Sequence, residues 1–405
     1  MISLPAGIAS HFCPTRIFAG EGAYRALSGI LAEHGVRRAF VVADGALLDG
    51  AFFRAVSAAI AAAGAEATVF SEIRPEPDVD IVHRAFGAQQ ACGATLTIAV
   101  GGGSTIDVAK AVGILAANGG RIEDYEGIEK FKLPPLPLAA IPATAGTGSE
   151  VSGSCVISSA DGLRKMSIRH AALNPARYAI LDPAALATAP AHVAVHAGVD
   201  AFVHAFESFI SRQANPFTDA LNLRAIELIA GNIRQLAAHR GNGAAALAML
   251  CGSALAGMAF GQTGLGNVHC MARFLGARFH FSHGLSNALC LPYVACFNLA
   301  ADPAKFARVA QAMGVDTAGM TLLEAARSAV EAIEDLCDDL GIPASLAQAG
   351  VDPAAFGEMA DDCVRAGYER WNPRQTTRQD FLDLFRRAHE GTRLRAWRAA
   401  SRRTT

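Results

Sequence analysis

The sequence has almost no excess charge and no regular cysteine spacing. Its 35 Lys and Arg residues nearly balance its 37 Asp and Glu residues, so no basic field exists to hold a nucleic-acid backbone. We therefore expect no nucleic-acid partner. The nine cysteines form no CxxC pair, which indicates reduced and mostly buried thiols and favours a cytoplasmic protein.

The sequence also lacks a recognisable secretory signal. Its N-terminus, MISLPAGIASHFCPTRIF, has no basic segment followed by a long apolar core. One uncharged run, residues 244–260, is nearly long enough to cross a bilayer. Its Ala, Gly and Ser content makes it only weakly apolar, so we predict a buried helix and no membrane partner.

The 405 residues, of which 52% are hydrophobic, predict two domains. Up to about residue 190, short apolar runs alternate with helical patterns, which is typical of a parallel sheet covered by helices. Beyond that point, strand-like alternation nearly vanishes and long Ala- and Leu-rich helical patterns occupy the chain. We predict a Rossmann-like α/β domain in residues 1–190 and an all-α domain in residues 191–405.

A glycine turn follows the apolar run TLTIAV and precedes the helical pattern STIDVAKAVGILAAN. Glycines such as Gly102 and Gly103 let a phosphate approach the backbone, and the helix N-terminus presents free N–H groups. We expect Ser104 to be the N-cap and Asp107 to lie in the first turn, and count both as candidate cofactor residues. The motif is not GxGxxG, and a tight turn that merely needs glycine stays an alternative.

Asp44 follows the strand-like run RAFVVA. A carboxylate at a strand end can accept hydrogen bonds from a ribose and would repel a 2′-phosphate, which predicts NAD rather than NADP. An ordinary turn residue is the alternative interpretation. A second loop rich in glycine and threonine, with Thr144 and Thr147, could line the far side of the cofactor.

Four residues have the character of a single-metal site. Asp200 and His204 stand four residues apart in a helical pattern, so both project from one helix face. His269 lies inside a second helix-like run, and His283 precedes a third. Three imidazoles and one carboxylate suit Fe²⁺ or Zn²⁺ better than Mg²⁺ or Ca²⁺. Any one of these residues alone would more often be solvated or hydrogen-bonded, so the prediction depends on their combination.

Five segments, in this order, resemble motifs of the iron-dependent (group III) alcohol dehydrogenases, the group that includes lactaldehyde/1,2-propanediol oxidoreductase. The resemblance covers nearly the whole chain. The segments are GGGSTIDVAKAVG, IPATAGTGSEVS, GVDAFVHAFESFIS, GLGNVHCMARFLGARFHFSHGLSNALCLP and WNPRQTTRQDF.

The resemblance implies a Rossmann-like domain, a helical domain, a cleft between them and commonly a homodimer. It implies that the metal ligands are Asp200, His204, His269 and His283. It also implies that the dinucleotide is contacted by Asp44, Gly102, Gly103, Ser104, Thr144, Thr147 and Lys165.

One departure from the family pattern concerns the segment after His269. The family usually reads HxxxH, but here Arg273 replaces the second histidine, and a guanidinium cannot relay a proton as imidazole does. We take Arg273 and the ligand His283 as the candidate catalytic residues. Arg273 could bind an anionic group of the substrate; alternatively, it pairs with an acidic side chain such as Glu207 or lies along the phosphates of the cofactor.

The predicted function is metal-dependent hydride transfer between NAD(H) and a small alcohol or aldehyde, including one that carries an anionic group. Three alternatives remain open. They are a metal-dependent lyase or cyclase resembling dehydroquinate synthase, a reductase of an acidic keto substrate such as maleylacetate, and a non-catalytic sensor of NAD or metal.

Overall fold

The computed structural model describes residues 11–160 and 164–394. The N-terminal segment in which no secretory signal is predicted, residues 1–18, therefore lies mostly outside the described residues. The chain forms two compact units. Of the described residues, the helical unit contains Val195–Ala238 and the chain from Gln262 to Leu394, and the α/β unit contains those of Phe12–Ala194 and His239–Gly261.

The α/β unit contains two sheets. The strands are β1 Arg16–Ala19, β2 Arg38–Ala43, β3 Glu66–Phe70, β4 Leu96–Gly101, β5 Gly127–Ile128, β6 Leu138–Pro142, β7 Ser154–Ser158, β8 Lys165–Arg169 and β9 Tyr178–Leu181. The larger sheet is parallel throughout, in the order β1-β9-β6-β4-β2-β3. The smaller sheet has the order β5-β8-β7, with β7 antiparallel to β8.

Helices cover the sheet and make up the helical unit. They are α1 Ala26–Glu33, α2 Ala51–Ala62, α3 Val79–Cys92, α4 Gly103–Asn118, α5 Ala191–Ile210, α6 Pro216–Ala238, α7 Gly243–Thr263, α8 Asn267–Phe279, α9 His283–Asn298, α10 Pro303–Ala312, α11 Leu322–Asp339, α12 Phe356–Ala366 and α13 Arg378–Glu390. No strand follows Leu181 in the described part of the chain. The predicted fold class, α/β followed by all-α, is confirmed.

Strand β4 is the centre of the α/β core. All six of its residues are buried, as its apolar faces predict, and Ala99 packs in one cluster with Phe40 of β2, Ala140 of β6 and Val112 of α4. The chain runs from β2 outward to β3 and then returns to place β4 on the other side of β2. This reversal of strand order opens a crevice at the carboxyl ends of the strands, which is where open α/β sheets bind ligands.

Among the described residues, three helical segments are long and apolar enough to cross a membrane by length and composition alone: α5, α7, and α9 with its continuation to Ala301. The fraction of each apolar window that is buried inside the protein is 72%, 56% and 78%, respectively. Helix α7 covers the run at residues 244–260, and most of it belongs to the α/β unit. Its Gly257 allows this packing, because a Cβ there would lie 2.9 Å from the carbonyl oxygen of Gly148.

Candidate metal centre

Helix α5 carries the first two predicted ligands. Asp200 and His204 are buried, with 3% and 5% of their surfaces exposed, and every residue from Gly198 to Ile210 is buried. The four-residue spacing places both side chains on one helix face, as predicted. Glu207, one turn further along, has 2% of its surface exposed.

Helices α8 and α9 supply the two remaining ligands, His269 and His283, and the start of α9 is fixed against α5. The Ser282 hydroxyl caps α9 by accepting from the backbone N–H of Leu285 at 3.4 Å, and it lies 2.9 Å from Nδ1 of His196. Gly284 permits the close approach of the two helices, because a Cβ there would lie 2.0 Å from the carbonyl oxygen of His196.

The four side chains converge as a metal site requires. Each offers one ligand atom, and these atoms all lie within 4.8 Å of one another. Oδ1 of Asp200 is 3.5 Å from Nε2 of His283 and 3.7 Å from Nε2 of His269. A tetrahedral ion with bonds of about 2.1 Å would separate its ligand atoms by roughly 3.4 Å, so the donor set fits Fe²⁺ or Zn²⁺. The His283 side chain is 45% exposed, which places the more open side of the cluster there.

Two residues that were not predicted as part of the site orient the ligands. Oε2 of Glu207 lies 2.8 Å from Nδ1 of His269, which fixes the tautomer and leaves Nε2 for the cluster. Nδ2 of Asn287 donates to Oδ1 of Asp200 at 2.7 Å. The sequence signal for both was their spacing, since Glu207 follows His204 by three residues and Asn287 follows His283 by four.

Glu207 also caps helix α8. Its carboxylate accepts from the backbone N–H groups of Gly266 at 3.1 Å, Val268 at 2.6 Å and His269 at 3.2 Å. Glu207 is therefore engaged by α8 and not by Arg273, which was one of the predicted alternatives. Within residues 11–160 and 164–394, half-buried Arg273 makes no hydrogen bond or ion pair, and its guanidinium lies 5.8 Å from the centroid of the adjacent Phe274 ring.

The cluster is built to hold positive charge. Burial alone would raise the pKa of Asp200, but the surrounding imidazoles outweigh burial and hold that pKa well below its ordinary range. Burial would lower the pKa of His269, yet its hydrogen bonds to Asp200 and Glu207 raise it to about 9. A divalent cation would replace the proton held there, so metal binding releases a proton.

The predicted dinucleotide residues lie at the carboxyl ends of three neighbouring strands. Asp44 follows β2, the glycine turn follows β4, and the threonine loop follows β6. Oδ1 of Asp44 accepts from the backbone N–H of Ala46 at 3.0 Å. A Cβ on Gly103 would lie 2.7 Å from Cγ2 of Thr147, and one on Gly102 would lie 3.4 Å from Oγ1 of Thr144. A Cβ at Gly103 would therefore force Thr147 to move, whereas one at Gly102 would only reach ordinary van der Waals contact with Thr144.

The N-cap of α4 was predicted wrongly. Gly102, not Ser104, is the N-cap, and no side chain caps the helix. Gly102 has the extended backbone that an N-cap needs, whereas Ser104 is already helical. Asp107 consequently lies beyond the first turn and not in it, as no acidic residue occupies that turn. The first-turn N–H groups of α4 thus have no side-chain cap and face the crevice end of β4.

Two side chains of α4 hold the segment after β6. Asp107 accepts from the Ser149 hydroxyl at 2.6 Å and from the backbone N–H of Val156 at 2.9 Å. Nζ of Lys110 donates to the carbonyl oxygens of Ser152 at 2.9 Å and Ser154 at 2.8 Å. Burial raises the pKa of Asp107 and lowers that of Lys110. Asp107 therefore serves to fix this segment, and its predicted contact with a dinucleotide stays a prediction.

Lys165, at the start of β8, is the last predicted cofactor residue. Its ammonium forms an ion pair with the carboxylate of Glu76, and the Lys165 side chain is 31% exposed. The dinucleotide contact that the resemblance implies for Lys165 stays a prediction.

Comparison with known proteins shows which family has this fold and these metal-binding residues. Residues 14–183 match the family described as iron-containing alcohol dehydrogenase, and residues 194–389 match the C-terminal part of the Fe-containing alcohol dehydrogenase family. The chain belongs to the iron-containing alcohol dehydrogenases. The predicted enzyme class, a metal-containing alcohol dehydrogenase acting on small alcohols or aldehydes, is confirmed. The predicted cofactors, NAD and a divalent ion such as Fe²⁺, are confirmed by membership of this family.

Three similar proteins illustrate the range of this family. Lactaldehyde reductase of Escherichia coli K12 is 37% identical, over 91% of this chain and 96% of that protein. Sulfoacetaldehyde reductase of Bilophila wadsworthia is 36% identical, over 93% of this chain and 97% of that protein. The crystal structure of a 1,3-propanediol oxidoreductase has a TM-score of 0.91 and 36% identity, covering 94% of this chain and all of that one.

Proposed function

We propose that Asp200, His204, His269 and His283 hold the divalent ion of an NAD-dependent alcohol dehydrogenase that works as an aldehyde reductase. The observation that carries this proposal is the convergence of one carboxylate and three imidazoles within 4.8 Å. When bound, the ion would supply Lewis-acid polarisation of the substrate oxygen, and NADH would supply the hydride.

The residues of the chain perform the binding and orientation. Glu207 presents His269 with its Nε2 toward the cluster, and the exposed side of His283 leaves room for a substrate. In the α/β unit, the glycine turn with Ser104 and the uncapped start of α4 would bind the pyrophosphate. Thr144, Thr147 and Lys165 would contact the remainder of the dinucleotide.

Asp44 favours NAD over NADP in this proposal. It follows β2, next to the point where the strand order reverses, which is where an acidic residue accepts hydrogen bonds from the adenosine ribose. A 2′-phosphate would meet its negative charge.

A second and finer proposal concerns the substrate, which we infer to be an aldehyde bearing an anionic group such as a carboxylate, sulfonate or phosphonate. Arg273 lies one helical turn after His269, on the same face of α8, and is half-buried without an ionic partner among the described residues. A partly desolvated guanidinium is stabilised by a bidentate anion. The similar Bilophila wadsworthia protein is named for an aldehyde that carries a sulfonate.

The test is an NADH-oxidation screen of neutral and anionic aldehydes with Fe²⁺ or Zn²⁺ added back. We expect Arg273→Ala to raise KM for the anionic aldehyde far more than for propanal. Equal losses on both would assign Arg273 to a structural or cofactor-binding role. Stoichiometric formation of NAD from NADH would reject the lyase, cyclase and sensor alternatives. Including maleylacetate in the screen would test the alternative of an acidic keto substrate.

We further propose a cytoplasmic homodimer without nucleic-acid or membrane partners, divided into domains at residues 1–190 and 191–405, with His239–Gly261 of the second stretch belonging to the α/β unit. The net charge of −2 and the nine free cysteines support the location and the absence of nucleic acid. The burial of α5 and α9 supports packed helices. The family resemblance supports the dimer, which sedimentation would test.

A further inference from the structure

One amide nitrogen contacts ligands from three helices. Nδ2 of Asn287 lies 2.7 Å from Oδ1 of Asp200 on α5, and 3.3 Å from Nε2 of both His269 on α8 and His283 on α9. The atom next to Asp200 must be the amide nitrogen, because an ionised carboxylate only accepts hydrogen bonds and would repel the amide oxygen. Asn287 is fully buried, and its four-residue spacing from His283 places it on the same face of α9.

Only the nitrogen of the Asn287 amide makes a hydrogen bond among the described residues. Oδ1 of Asn287 is buried and has no hydrogen-bond partner among the described residues. A buried unsatisfied carbonyl costs about 1 to 3 kcal/mol. An apolar side chain of similar size, such as leucine, would fill the same space without that cost. Packing therefore does not explain an asparagine here, whereas its hydrogen bond to Asp200 does.

We propose that Asn287 is a positioning residue of the metal centre. Its hydrogen bond fixes the rotation of the Asp200 carboxylate, so that the lone pairs left free are directed at the space enclosed by the three imidazoles. Without this bond, the carboxylate could turn about its last side-chain torsion, and binding an ion would have to order it. The inference rests on the proposed function, because it presumes that these four residues bind an ion.

The experiment measures metal affinity and not only activity. Zn²⁺ affinity of the full-length protein is determined by competition with a chromophoric chelator, for wild type and Asn287→Leu. We expect affinity to fall about 10- to 100-fold, which is the usual loss when a side chain that orients a ligand is removed. Asn287→Ala removes the donor without adding bulk and should show the same loss of Zn²⁺ affinity. It replaces Asn287→Leu as the test variant if the leucine variant folds poorly.

Asn222 provides a matched control. It is also fully buried in the helical unit, its Nδ2 donates to the Ser208 hydroxyl at 2.7 Å, and its Oδ1 likewise has no partner among the described residues. Asn222→Leu should lower thermal stability but leave Zn²⁺ affinity within twofold of wild type.

The outcomes are distinguishable. If Asn287→Leu and Asn287→Ala bind Zn²⁺ as tightly as wild type, or if Asn222→Leu loses affinity equally, the inference is overturned. If wild type itself binds no Zn²⁺, or binds it with an affinity that His269→Ala does not change, the proposed metal centre fails first.

Discussion

Replacing Glu207 removes the acceptor that joins α5 to the start of α8. Its two carboxylate oxygens accept from three backbone N–H groups, at 2.6 to 3.2 Å, and from Nδ1 of His269 at 2.8 Å. Glu207→Ala would leave four buried donors without an acceptor. At about 1 kcal/mol each, the lower end of the usual cost, the loss is about 4 kcal/mol. That is a large share of the 5 to 15 kcal/mol that typically stabilises a folded protein.

Glu207→Gln is the more informative variant, because it keeps the shape and one acceptor oxygen. Its amide nitrogen, however, must face donors, so we expect an intermediate loss of about 2 kcal/mol. Its retained oxygen can still accept from Nδ1 of His269, so Zn²⁺ affinity should fall less than in Glu207→Ala, which removes that partner and should lose about 10- to 100-fold. Urea unfolding of the metal-free protein measures the first effect, and chelator competition measures the second. If Glu207→Ala were as stable as wild type, the capping role assigned to Glu207 would be refuted.

Three further predictions concern the ligands, the nucleotide and pH. His269→Ala should yield a folded protein with little bound metal and no turnover, as metal analysis and an activity assay would show; retained metal would contradict the ligand assignment. Wild type should prefer NADH to NADPH in kcat/KM, and Asp44→Gly should narrow that ratio; equal use by wild type would remove the basis for this role. Burial raises the pKa of Glu150 from 4.5 to about 7, so the folded state binds more protons than the unfolded chain between these values, and stability should fall as pH rises through that window. The free energy of unfolding of Glu150→Gln, measured with urea, should therefore rise by about 3 kcal/mol relative to that of wild type as the pH is raised from 4 to 8. A difference in unfolding free energy that does not change with pH would contradict the raised pKa.

What the sequence could predict depended on local periodicity. The apolar run of β4, the glycine turn after it and the four-residue spacing of Asp200 and His204 each determine geometry within a few residues, and the structure agrees with them. The contacts that were missed join residues far apart in sequence. Glu207 accepts from α8 about 60 residues later, and Asn287 reaches Asp200 across 87 residues. Helical periodicity gives the face on which such a side chain lies but not the helix that packs against it.

The error at α4 has a similar origin. Serine is a favoured N-cap in isolation, so Ser104 was the local expectation. Thr147 packs so closely on Gly103 that a Cβ there would lie 2.7 Å from its methyl carbon, and the helix starts at this glycine, two residues earlier than a Ser104 cap would allow. Local capping preference contains no information about such a contact with a loop that follows a different strand.

In the function proposed above, hydride transfer depends on an ion held by Asp200, His204, His269 and His283. The most direct measurement is a titration of metal-free protein with Fe²⁺ under anaerobic conditions, followed by NADH oxidation with an aldehyde that the screen identifies. We predict that activity rises to a plateau at one ion per chain and that His204→Ala shows no rise over the same range. Full activity before any ion is added, or a wild-type plateau in His204→Ala, would contradict the account.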